Sequence, residues 1–373
     1  MADSILKEVT FTPNTFEKNI ALESERKFER LLNALEDLLD SGIIIGLTKQ
    51  WQAKINELIQ RYDEYDKYEI EEIFKQLDNR QRLVLYPGEE SIEDNESNWI
   101  GLANRLNDKR NFDVIVASKD TDTTKQIDHI DRRFFKSRGA QVGKQTKELM
   151  KKMLRPILSY ADIVTIIDPY FSLEEDRYKN ALEIICDSLA NHHGVKDEAV
   201  IDIQTSIKTM MSGREFDWKV ANQWPNIIKK YETKYGHTIT LKIWEEAKKD
   251  DKWHDRWIIT NQCGISIGHG SDISDWTDST WSLLDWRELS NIASKFQINR
   301  SKYNYIGAIT SNGIVKKQNP QNIPTRMTQK EKDLERIEYL KKLEEREKSR
   351  LDKINNTETK IVAGGVRKKV KKL

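Results

Sequence analysis

The chain has 373 residues, 37% hydrophobic and 33% charged, with a net charge of +1, enough for two domains or one large one with extensions. That balance gives no bulk attraction to a polyanion, so any basic patch must be local. Two cysteines, Cys186 and Cys263, exclude a disulfide framework and have no metal-ligand spacing, as in a reducing cytosol. No run reaches the ~18 apolar residues that span a bilayer, and the start "MADSILKEVTFTPN" lacks the basic and apolar regions of a secretory leader. The expectation is a soluble cytoplasmic protein without a transmembrane segment.

Residues 15–40 place apolar side chains at helical spacing, and 49–61 and 68–77 repeat the pattern, which predicts a helical region over 1–80. "RLVLYP" and "FDVIVAS" bracket the helix-like "NWIGLANRL", a strand, helix, strand reading for a small α/β unit over 81–118. From 119 to 145 the chain turns polar and basic without periodicity and reads as a linker, closing a region 81–145.

Over 146–320 the alternation is clearer. A helix at 147–158 precedes the strand "IVTIIDPYF"; a helix at 174–191 precedes "AVIDIQTS"; a helix at 216–234 precedes "TITLKIWEE". "WIITNQCGISIG" reads as a hairpin turning at "NQCG", and a last helix at 282–296 follows. Strands alternating with helices predict α/β layering, with the sheet covered on at least one face. In 321–373 the composition shifts: 330–353 carries nine basic and eight acidic residues. That predicts an exposed charged helix over 330–354, a surface for partner proteins. The basic tip "GGVRKKVKKL" is either a solvated tail or a contact for phosphates or anionic lipid.

The chemistry concentrates in "KWHDRWIITNQCGISIGHGSD". The apolar residues after Arg256 place His254 and Arg256 on a strand with their side chains on one side and Asp255 on the other. An imidazole beside a guanidinium suits phosphodiester chemistry: the first attacks phosphorus or passes a proton, and the second holds non-bridging oxygens. Gly270, Ser271 and Asp272 offer backbone N–H groups and a hydroxyl at a glycine-permitted bend, a phosphate cradle. Asp168, before Pro169 and Tyr170, reads either as a turn aspartate or as a pocket residue at the carboxyl end of a strand. Eight of the ten tryptophans lie between Trp218 and Trp286, which favours packing of this region, with base stacking left open for Trp253 and Trp276. No cluster of ligands has metal-site spacing, so neither metal nor cofactor is expected.

These residues resemble the signature of the phospholipase D superfamily: a histidine, a lysine two positions on, an aspartate five further, then a glycine and serine loop. "TIIDPYF", "HDR" and the "GxGxD" turn are also similar to the non-catalytic phospholipase-D-like module at the C-terminus of MIT-domain proteins. The resemblance covers 150–300. It implies a phospholipase-D-like α/β/α sandwich, with His254 as nucleophile, Arg256 as phosphate clamp, Asn261 in the aspartate position, Gly270 and Ser271 as the loop, and no metal. Arginine replaces lysine, asparagine replaces aspartate, and there is one copy of the motif. A second copy must then come from a second chain, so a homodimer is implied. The family implies a metal-independent nuclease acting on nucleic acid, as in bacterial single-motif relatives, some of them in antiphage defence. The alternative is a module that binds a protein, nucleic acid or anionic lipid without cleaving it.

Overall fold

The computed structural model describes residues 5–86, 92–136, 139–190, 198–206, 218, 220–245, 253–268, 270–271, 273–298 and 301–316. The fold is α/β, with a five-stranded and a nine-stranded sheet. The first half builds β1 (Lys7–Phe11), α1 (Lys18–Ala21), α2 (Glu25–Ser41), β2 (Gly42–Gly46), α3 (Lys49–Ile59) and α4 (Glu64–Asn79). It continues with β3 (Leu83–Leu85), α5 (Glu96–Arg110), β4 (Val114–Val116), β5 (Thr124–Lys125) and α6 (Arg133–Lys136). Helix α2 shows why these segments fold locally. Ser24 caps it by accepting from the Lys27 N–H at 3.2 Å, and Leu31, Ala34, Leu35 and Leu38 recur on one buried face.

The first sheet is wholly parallel in the order β3-β2-β1-β4-β5. Its central strands, KEVTF and GIIIG, are buried along their whole length, as parallel strands covered on both faces must be. Residues 1–80 are therefore not simply helical: β1 and β2 lie within them. A short apolar run without alternation is indistinguishable by periodicity from a piece of buried helix. Nor do β3 and β4 form a separate unit, because β2 and β1 stand between them.

The second sheet contains β6 (Gly139–Gln145), β7 (Ile163–Ile167), β8 (Val200–Ser206), β9 (Thr238–Glu245), β10 (Trp257–Thr260) and β11 (Gly264–Ile267). β12 (Ser274–Leu283), β13 (Asn304–Thr310) and β14 (Gly313–Lys316) complete it. Its order is β14-β13-β9-β8-β7-β10-β11-β12-β6, with β7, β8 and β9 parallel and the remaining neighbours antiparallel. The helices are α7 (Lys147–Leu158), α8 (Asp176–Ala190), α9 (Trp224–Tyr235) and α10 (Trp286–Lys295). Val164, Ile166, Ile201, Ile203, Leu241 and Ile258 join α7, α8 and α9 in one core that continues into the first sheet. On the opposite face Ile167, Trp244, Trp257 and Ile259 pack with Leu284, Ile292, Phe296, Trp253 and Tyr303. The second sheet is thus covered on both faces.

Two further expectations change here. The polar stretch 119–145 is not a linker, since it supplies β5, α6 and the edge strand β6. The helix placed at 282–296 begins at Trp286, because Asp285 and Glu288 form a reciprocal capping box and the residues before it continue β12 beside β11. The pair β13 and β14, which periodicity did not mark, closes the other edge. The charged helix expected at 330–354 and its basic tail lie outside the described residues. No helix among those described is long and apolar enough to cross a membrane.

Candidate phosphate-binding site

At the carboxyl end of β7 the chain leaves the sheet as Asp168-Pro169-Tyr170, beside the start of antiparallel β10, where Trp257 pairs with Ile167. Asp168 is fully buried. One carboxylate oxygen, Oδ1, accepts from the Tyr170 N–H at 2.9 Å. The other, Oδ2, accepts from both the backbone N–H and the hydroxyl of Ser271, each at 3.0 Å. Burial pushes the Asp168 carboxyl above its ordinary range, while the Ser271 and Tyr170 donors and the Arg256 charge oppose that rise. Asp168 is thus a turn residue at the carboxyl end of a strand, tied to the Ser271 loop.

Arg256 reaches the same carboxylate from β10's entry, with Nε 3.6 Å from Oδ1. Its Nη1 donates to the Gly268 carbonyl at 3.1 Å, and its guanidinium lies over the Tyr170 ring, 4.7 Å from the centroid. The Nε atom itself is buried and has no hydrogen-bond partner. His254 is exposed, with Nδ1 3.4 Å from the Tyr170 hydroxyl. Tyr170 therefore touches both the imidazole and the guanidinium. Both residues precede β10 rather than lying in it, yet they meet on one side as the alternation predicted.

The backbone there is held by packing. Trp253 is buried against Phe296 and Tyr303 and donates from Nε1 to the Asp255 carbonyl at 2.9 Å, so it packs rather than stacks on a base. Gly270 adopts φ +118°, a left-handed conformation that glycine tolerates best, and its carbonyl accepts from Gln145 Nε2 at 3.4 Å. That turn brings Ser271 onto Asp168.

Asp168, Tyr170, His254, Arg256, Gly270 and Ser271 therefore come together; Asn261 does not. It sits in the turn at the far end of β10, where Oδ1 accepts from the N–H groups of Asp162 at 2.9 Å and Ile163 at 3.3 Å, and Nδ2 donates to Gln81. A strand carries residues seven apart to opposite ends, so Asn261 fastens the start of β7 to the turn before β3. The Ser271 donors expected to cradle a phosphate are both directed at Asp168. Asp272 lies outside the described residues, as does the side chain of Trp276. The Gly268 carbonyl and Gln145 were not legible in the sequence, because a backbone acceptor and a remote edge strand leave no local pattern.

A second polar cluster occupies the carboxyl ends of β1 and β4, where the crossover direction of the first sheet reverses, a position at which α/β sheets hold ligands. Glu96 Oε1 accepts from the Ser118 N–H and hydroxyl, both at 2.8 Å, and from the Thr12 hydroxyl at 3.0 Å. Its buried Oε2 has no hydrogen-bond partner. Among the described residues no group of three or more His, Cys, Asp or Glu side chains is arranged to hold a metal ion.

No family model matches the chain, and no curated protein matches it. A solved structure of TrmBL2, described as an archaeal chromatin protein with a novel mode of DNA binding, is similar over 68% of this chain and 70% of that one. The identity is 13% and the TM-score 0.24, too low to indicate a shared fold.

Proposed function

We propose that the His254–Tyr170–Arg256 face takes a phosphodiester of nucleic acid, as a phospholipase-D-like domain with a single motif per chain. The observation that carries this reading is Arg256. Its guanidinium is held in place by the Gly268 carbonyl, the Tyr170 ring and the buried Asp168 while the side chain stays partly exposed, as a positioned phosphate clamp would be. In the cleaving form, the His254 Nε2 lone pair forms a P–N bond while the P–O ester bond breaks. The leaving alkoxide takes a proton from a second acid, and water then releases the phosphoryl group. That acid would be the His254 of a second copy across a twofold axis, making the active form a homodimer, with no metal needed.

A second reading, capture without cleavage, is favoured by one detail. The imidazole Nδ1 faces a phenol at 3.4 Å, whereas the nearby carboxylate is committed to Tyr170, Ser271 and Arg256, so among the described residues no carboxylate orients the base.

The test is cleavage and binding of labelled single- and double-stranded DNA and RNA in EDTA, at two salt concentrations. In the enzyme, His254→Ala abolishes turnover with affinity within a few fold, and Arg256→Ala damages both. In the binder, His254→Ala changes little and Arg256→Ala weakens binding in a salt-dependent way. Cleavage that survives His254→Ala sinks the mechanism, and a folded wild type that neither cleaves nor binds nucleic acid sinks the substrate class.

A further inference from the structure

We infer that the cavity between α2 and the segment around α6 is a separate binding site for a phosphate-sized anion. The cavity has a volume of about 80 Å³ and is lined by Arg30, Asp37, Ile130, Arg132, Phe135 and Lys136, among others. Among its described lining residues three cations stand against one carboxylate, a local surplus of positive charge. Arg132 and Lys136 are exposed and make no ion pair among the described residues.

The Arg30 guanidinium is fixed from behind. Its Nη1 donates to the backbone carbonyls of Asp128 and, at 3.5 Å, of Ile130, while its Nε is buried with no hydrogen-bond partner. The Arg30 guanidinium is thus fixed at a cavity that Arg132 and Lys136 also line, an arrangement that suits an oxyanion. Arginine supplies the planar fork that phosphate accepts best. A cavity of that size has room for one tetrahedral oxyanion or a few waters. A larger ligand would insert its phosphoryl end alone. The shared chemistry is a phosphate group, free or at the end of a nucleotide.

The experiment is thermal unfolding and titration calorimetry on the full chain with inorganic phosphate, with a 5′-mononucleotide, and with sodium chloride at matched ionic strength. Phosphate raises the unfolding midpoint saturably beyond chloride. Arg30→Lys, which keeps the charge and loses the fork, weakens binding about tenfold. The double substitution Arg132→Ala with Lys136→Ala, both solvent-facing, unfolds at the wild-type midpoint in chloride and loses the phosphate response. Arg256→Ala keeps that response, which separates this cavity from the site on β10. Equal affinity for phosphate and mononucleotide assigns the cavity to the free anion; tighter mononucleotide binding assigns it to an ester. The inference is overturned if phosphate does no more than chloride, if the double variant responds like wild type, or if the response is lost in Arg256→Ala instead.

Discussion

At the scale of single residues, the second sheet separates two polar groups that share one short stretch of sequence. Arg256 and Asn261 flank the same four-residue strand, but only Arg256 faces the candidate site. Asn261 satisfies two backbone N–H groups at the start of β7 and holds Gln81 in the turn before β3. Leaving such donors without an acceptor costs about 1–3 kcal/mol. Asn261→Ala is accordingly expected to lower the urea midpoint while leaving affinity at Arg256 within a few fold. Loss of binding in a variant of wild-type stability would place Asn261 in the site after all.

At the scale of elements, His237 joins three of them. It sits before β9, with Nδ1 accepting from the Ala199 N–H at 3.3 Å before β8 and Nε2 donating to the Cys186 carbonyl of α8 at 3.2 Å. Burial holds its pKa below the ordinary histidine value. The folded state thus resists a proton that the unfolded chain accepts near pH ~6.5. Stability present above that pH is lost as the pH falls through it, by at most about 1.4 kcal/mol per unit while the two states differ by one proton. Denaturant midpoints measured between neutral and mildly acidic pH should fall more steeply for wild type than for His237→Gln. Parallel curves would show that the imidazole is not protected.

At the scale of the whole molecule, the two sheets are tied by a shared apolar core and by a few polar contacts. Glu8 on β1, 1% exposed, pairs with Arg155 of α7 at 2.6 Å and accepts from the Tyr160 hydroxyl at 3.2 Å. The arginine side chain is 42% exposed, so the two partners are not equivalent. Removing Arg155 takes the cation from a buried carboxylate that keeps the Tyr160 hydroxyl, whereas neutralising Glu8 frees an arginine that turns to water. Arg155→Ala is expected to cost about 3 kcal/mol and Glu8→Gln about 1 kcal/mol, read from urea unfolding. Equal costs would mean that Glu8 is satisfied without its partner.

The sequence by itself determined the α/β class, the helix at 147–158, the strands β7 to β11 and the grouping of His254 and Arg256. Each of these rests on local periodicity, a turn or a spacing of two residues. Tertiary structure decided the rest. The run GIIIG became a strand because β1 and β3 flank it, and the apparent linker at 139–145 became an edge strand because β12 offered its ladder. Asp168 came to Ser271 across 103 residues of chain, and Asn261 was carried away from His254 along its own strand. Parallel pairing and strand-end convergence depend on partners distant in sequence, and no local spacing encodes which partners those will be.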